Sequence, residues 1–147
     1  MILRAFKSSD LETLYKIDRA CFPPGISYSI RDLDRFVSHP KSKTWIAEDE
    51  GEMVGFLIAG QEPRKVGHII TIDVVKTRRR AGVGSALMDQ AEEWAREKGL
   101  KLIYLETADD NRSAQIFYTA RGYAKVDEVP NYYSNGQSAW VMVKWLK

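Results

Sequence analysis

Three arginines and two glycines crowd the stretch Val74-Val75-Lys76-Thr77-Arg78-Arg79-Arg80-Ala81-Gly82-Val83-Gly84-Ser85, between a strand-like apolar run and a long amphipathic helix. Glycine lets backbone approach a ligand closely, and the first turn of a helix carries N–H groups with no intrahelical acceptor. Those donors and the positive end of the helix dipole favour an anion, so the stretch reads as a pyrophosphate cradle. Arginine forks add charge-assisted phosphate contacts, although arginines beside a turn are also ordinary solvated groups. Two further side chains have chemistry to offer. Glu106 closes the apolar run Leu102-Ile103-Tyr104-Leu105, where a partly desolvated carboxylate can serve as a base or sit at the surface. Tyr118 lies on a helical stripe, as a proton donor or as a core tyrosine.

Positioning these groups requires one modest fold. At 147 residues with 44% hydrophobic content, the chain is expected to form a single domain over 1–147. The net charge is +2 and charged residues are spread along the chain, so neither nucleic acid nor membrane is an expected partner. Met1-Ile2-Leu3-Arg4 reads directly as strand, with no apolar leader and no stretch of bilayer-spanning length, and a cytoplasmic location is expected. Cys21 is the only cysteine and reads as a small buried hydrophobe; with only His39 and His68 as isolated histidines, no metal site is expected.

Hydrophobic periodicity predicts a strand over Ile2 to Phe6 and a helix opened by a Ser9-x-x-Glu12 capping box, with Leu11, Leu14, Ile17 and Cys21 as its stripe. Phe22-Pro23-Pro24-Gly25 ends that helix, and a second runs from Ser29 to before Pro40. Thr44 to Glu48 and Met53 to Gly60 predict a hairpin about Asp49-Glu50-Gly51-Glu52. His68 to Val75 predicts a central strand, apolar on both faces apart from Thr71 and Asp73. A helix over Val83 to Lys98, a strand from Leu100 to Glu106, a helix capped by Asn111, and strands over Tyr123 to Val129 and Ala139 to Leu146 complete the chain. The order is β-α-α-β-β-β-α-β-α-β-β, an α/β fold with a mixed sheet and helices on both faces.

The cradle lacks the Gly-Lys-Ser/Thr of a Walker loop and the third glycine of a dinucleotide fingerprint. Its pattern Arg79-x-x-Gly82-x-Gly84 resembles instead the coenzyme A loop of the GCN5-related N-acetyltransferases, and the element order is similar to that fold over nearly the whole chain. From Ile72 onward, Leu105-Glu106, Asn111, Phe117-Tyr118, Gly122-Tyr123 and Asn131-Tyr132-Tyr133 resemble the RimI-type protein N-terminal acetyltransferases. The resemblance implies acetyl-CoA as donor, Glu106 as general base, Tyr118 as general acid and Asn111 as a contact of the pantetheine arm. It maps main-chain contacts with the acetyl and pantetheine parts onto Ile72, Asp73 and Val74, and pyrophosphate contacts onto Arg79, Arg80, Ala81, Gly82, Val83, Gly84 and Ser85. The chain departs from the family in having Val75-Lys76-Thr77 where an acidic residue and a proline are common, and Arg79 where glutamine is usual.

Acetyl transfer to an amine needs a thioester beside a neutral nitrogen, a donor for the carbonyl oxygen and a proton source for the thiolate. A phenol with a reference pKa near 10 suits the last task, since a thiol titrates at about 8.5. His68 is a rival base, but as the opening residue of its strand it is expected to lie far from the site; Asp73 is a second rival, or an orienter of the amine. Phe22 and Tyr28 before the second helix, with Tyr132 and Tyr133 in the last loop, are candidate walls for an extended peptide. An exposed hairpin tip is the plainer account of that last loop. The leading expectation is transfer of acetyl to the N-terminal α-amine of a protein, a ribosomal protein among the candidates, by direct attack in a ternary complex. The alternatives are a small amine acceptor on the same fold and an acyl-CoA-sensing module without catalysis. Oligomeric state carries no signal in the sequence.

Overall fold

Apolar alternation and helical stripes produce the expected order of elements in the computed structural model, which describes residues 1–147. They are β1 (Ile2–Ala5), α1 (Leu11–Cys21), α2 (Ile30–Ser38), β2 (Ser42–Asp49), β3 (Glu52–Glu62), β4 (Val66–Val74), α3 (Val83–Glu97), β5 (Leu102–Ala108), α4 (Arg112–Ala120), β6 (Ala124–Val129) and β7 (Ala139–Trp145). All seven strands join one sheet in the order β1-β2-β3-β4-β5-β7-β6. Every pairing is antiparallel except β4 with β5, which α3 connects as a crossover.

The sheet buries both faces. Leu14 and Ile17 of α1 and Leu33 of α2 pack on Ile46, Phe56 and Ile58. On the other face Val83, Leu87, Met88, Ala91 and Ala95 of α3 join Tyr118 of α4 over Leu57, Ile69, Ile103 and Leu105. Each fully buried aliphatic side chain contributes roughly 1.5–3 kcal/mol relative to exposure, so this alternation fixes the strand register.

Two local expectations change. The first helix does not start from a Ser9 capping box; Asp10 takes the capping role one turn earlier, accepting the Lys7 amide at 2.8 Å. Arg4 draws that carboxylate inward through two bonds of 2.9 Å, a planar match that the serine hydroxyl cannot offer. The central strand begins at Val66 rather than His68, because β3 runs on to Glu62 and pairs across the turn with Val66.

The feature that shapes the site lies in β4. Ile58 faces Thr71 and Ala59 faces Ile69, which leaves Ile70 as an unpaired bulge residue. A bulge bends and twists its strand. Accordingly β4 pairs with β5 only through Val66, Gly67 and His68, opposite Leu102, Ile103 and Tyr104, and the two then separate. β5 stays in the sheet by pairing with β7 along its whole length.

Glu92, 4% exposed, holds α3 to the far side of this gap. It accepts from Tyr123 Oη at 3.0 Å and from Lys144 Nζ at 2.9 Å, with Arg121 at 3.5 Å. Removing one partner of a buried charge cluster leaves the others uncompensated. Glu92→Ala is therefore expected to lower unfolding free energy by about 2–3 kcal/mol, measured by urea titration; a loss within error would show that the cluster does not fasten α3.

Candidate active site

The gap between β4 and β5 opens into a cavity of about 1060 Å³. Ile69 to Val74 form one wall, Leu105 to Ala108 the opposite one, and Ala114, Phe117 and Tyr118 of α4 a third side. Of the residues singled out by sequence, Phe22, Tyr28, Ile72, Asp73, Val74, Arg79, Arg80, Gly82, Gly84, Ser85, Glu106, Asn111, Tyr118, Tyr132 and Tyr133 all line it. Ala81 and Val83 do not. The Ala81 amide is bonded to the Arg78 carbonyl at 3.3 Å, and the Val83 side chain is buried in the core, leaving only its amide to offer.

The anion end follows from local backbone. Gly82 is the N-cap of α3 at φ 86°, and Arg80 also has a positive φ of 66°. This turn leaves the amides of Arg80, Gly82, Val83, Gly84 and Ser85 without a hydrogen-bond acceptor in the protein. The arginines are not equivalent. Arg78 is paired with Asp49, Arg79 Nε bonds the Val74 carbonyl at 3.2 Å, and Arg80 is held by no acidic partner.

Along the gap, Val75 donates its amide to Val54 at 3.0 Å. By the alternation of an antiparallel ladder, Asp73 then turns its peptide groups toward β3, whereas Ile72 and Val74 turn theirs into the gap. The Asp73 carboxylate accepts from the Thr71 hydroxyl at 2.6 Å and is 1% exposed, with Asp18 of α1 beside it. Asn111 Oδ1 caps α4 by accepting the Ala114 amide at 3.2 Å, which leaves its NH₂ for a ligand. Burial, with the Asp73 charge in second place, pushes the Tyr118 phenol well above its ordinary range. This favours the neutral, proton-bearing phenol but moves it further from a thiol's range than an ordinary tyrosine, so any proton delivery to a thiolate rests on placement rather than on matched acidity.

At the other end His68 Nε2 lies 2.7 Å from Glu106 Oε1. A carboxylate only accepts, so Nε2 carries the hydrogen. The imidazole stacks on Tyr104 with centroids 4.3 Å apart and planes 3° apart, and Nδ1 lies 3.5 Å from Glu62. His68 itself does not line the cavity, but through Glu106 it touches a residue that does, nearer than its place at the start of a strand leads one to expect. Parallel pairing sets His68 against Tyr104, and Glu106 shares a face with Tyr104 two residues on. Above the pair, Phe22, Ile26 and Tyr28 face Tyr132 and Tyr133. Ser134 Oγ donates to the Gly25 carbonyl at 3.1 Å, and a Cβ on Gly25 would come within 2.6 Å of Asn135 Cβ, so the two loops meet over the opening.

Residues 11–123 match the acetyltransferase (GNAT) family, and the chain belongs to that family. It is thereby an acyltransferase that takes its acetyl group from acetyl-CoA. The chain is 34% identical over 152 residues to the N-terminal acetyltransferase A complex catalytic subunit NAA10 of Arabidopsis thaliana, covering 99% of this chain and 78% of that protein. It is 32% identical to an N-acetyltransferase of Methanocaldococcus jannaschii, covering 98% and 91%. Among solved structures, Ard1 from Thermoplasma volcanium superposes with a TM-score of 0.90 at 28% identity, covering 99% and 97%. The ribosomal-protein-S18-alanine N-acetyltransferase from Escherichia coli shares the fold at a TM-score of 0.87 and 19% identity, covering 99% and 94%. No helix is long and apolar enough to cross a membrane.

The left-handed conformation at residue 82 costs a side-chain-bearing residue about 1–2 kcal/mol. Gly82→Ala is expected to weaken acetyl-CoA binding about tenfold in calorimetry while the protein still folds, its melting temperature lowered only by the several degrees that this strain accounts for. Wild-type affinity in that variant would remove this turn from the coenzyme site.

Proposed function

We propose that this chain transfers acetyl from acetyl-CoA to the N-terminal α-amine of a protein or peptide, as one domain over residues 1–147. The observation that carries the reading is the parted pair β4 and β5, with free amides at one end of the gap and the Glu106–His68 pair beneath an aromatic opening at the other. The diphosphate sits on the amides of residues 80 and 82–85, with Arg79 and Arg80 beside it. The pantetheine arm adds as a strand along Ile72 and Val74, with the Asn111 amide as a further contact. The Val74 N–H then polarises the thioester carbonyl.

The amine nitrogen attacks that carbonyl carbon and the C–S bond breaks. Glu106, oriented by His68, takes the ammonium proton directly or through one water, and Tyr118 gives its proton to the departing thiolate. No acyl-enzyme is required. Burial, with the Asp73 charge in support, pushes the Cys21 thiol up to about 11, which makes the only cysteine a poor nucleophile.

Acceptor chemistry favours an α-amine. At pH 7 it is about a tenth neutral, against a few parts in ten thousand for lysine, so a carboxylate base suffices. Phe22, Tyr28, Tyr132 and Tyr133 supply walls for the first residues of an extended chain. Relatives named as N-terminal or N-α-acetyltransferases support the same acceptor class.

Mass spectrometry of peptides incubated with acetyl-CoA should find acetyl on a free N-terminus and none on a copy whose terminus is blocked, even where internal lysines remain. Acetylation of the blocked copy, or turnover of small amines far above that of peptides, would reject the reading. Tyr118→Phe is expected to lower kcat about a hundredfold while acetyl-CoA still binds. Negligible transfer by both wild type and variant would point to a coenzyme sensor.

A further inference from the structure

Helix α1 carries a carboxylate in its apolar stripe. Leu14, Ile17, Asp18 and Cys21 share one face, and Asp18 is 0% exposed. Its partner across the interface is Asp73 of β4, 1% exposed. The two carboxyl groups face each other closely enough that each perturbs the titration of the other. Each has one oxygen with a conventional donor: Asp18 Oδ2 accepts the Tyr28 amide at 2.7 Å, and Asp73 Oδ1 accepts the Thr71 hydroxyl at 2.6 Å. Each also has one buried oxygen, Asp18 Oδ1 and Asp73 Oδ2, with no protein donor at all. Two ionised carboxylates cannot be buried in contact without a donor between them.

We propose that Asp18 and Asp73 share a single proton at neutral pH and that this acid pair is a positioning device, clamping the acceptor-side loop at Tyr28 to the coenzyme-side strand. The inference rests on the proposed assignment of those two sides. The chain of contact is short: Tyr28 lines the opening, its amide is held by Asp18, Asp18 is held by Asp73, and Asp73 lies between the two residues whose peptide groups face the gap. Arg79 approaches Asp73 from the anion loop and lowers its pKa. Cys21 of α1, the Tyr28 phenol and Tyr118 of α4 also face the pair; each is raised chiefly by burial, with the Asp73 charge second at Cys21 and Tyr118 and the Asp18 charge a lesser cause at Tyr28. Burial, then the Asp18 carboxylate, drives Asp73 well above the ordinary carboxylate range, so the proton resides in the pair. A pair titrates as a unit, and neither residue owns that proton.

Asp18→Asn tests the clamp, because its amide oxygen can accept from Tyr28 while its NH₂ donates to Asp73 Oδ2 without any shared proton. Asp18→Ala removes both bonds and leaves the net charge unchanged. Carbon-13 spectra of aspartate-labelled wild type at pH 7 should show a protonated carboxyl that vanishes in Asp18→Asn. Exchange of the Tyr28 amide should be slow in wild type and Asp18→Asn and at least about tenfold faster in Asp18→Ala. Peptide KM should rise about tenfold in Asp18→Ala alone, with acetyl-CoA Kd within about twofold in all three proteins. Full ionisation of every aspartate at pH 7, or an Asp18→Ala protein with wild-type exchange at Tyr28, overturns the proposal. If Asp18→Ala does not fold, the carboxyl spectrum and the Asp18→Asn exchange decide it. Neither needs acetyl transfer, so a protein that shows the shared proton but modifies no peptide would sink the transfer reading and leave the clamp standing.

Discussion

The separation of β4 from β5 after three paired residues is the constraint on which the rest of the structure depends. One extra residue, Ile70, sets it, because a bulge at that point turns the C-terminal half of the strand away from its parallel neighbour. The exposed edge does not collapse back. On one side α3 and α4 pack over the sheet, α3 tied by Glu92 to Tyr123 just past α4 and to Lys144 of β7, and on the other α1 lies along the end of β4. The peptide groups of Ile72 and the N–H of Val74 are therefore kept available in an opening whose lining mixes apolar and polar side chains, while the Val74 carbonyl is already taken by Arg79.

The same strand divides the chemistry by face and by end. Its start holds His68 against Glu106, its end runs into the amide-rich turn before α3, and its buried face carries Asp73 against α1. Charge is arranged accordingly. Arg78 is spent on Asp49 at the rim, while Arg79 spans the Val74 carbonyl and the acid pair, so of the three arginines Arg80 has the least protein to hold it.

How much of this could be read from the chain varies with the physics. The turn at 79–85 was legible because its signals are local: positive-φ glycine, arginine and a helix start are adjacent in sequence. The element order was legible because apolar periodicity is strong in every strand and helix. The place of His68 was not, since it depends on where β3 stops and on a three-residue parallel register, neither of which leaves a mark in a single strand's pattern. Asp10 displaced the Ser9 cap for a similar reason, because the decisive partner, Arg4, comes from the neighbouring strand. Asp18 did leave a trace: a carboxylate spaced with Leu14, Ile17 and Cys21 on the apolar side of α1 is out of place unless something protonated or cationic awaits it.

The meeting of the two loops at Gly25, Ser134 and Asn135 couples segments 109 positions apart in the chain. Asn135 leaves no room for a Cβ on Gly25, and the Ser134 hydroxyl ties the two loops by a single bond, so neither can be displaced while the other stays in place. Any remodelling of the aromatic walls that flank this tie has to move both ends of the fold together.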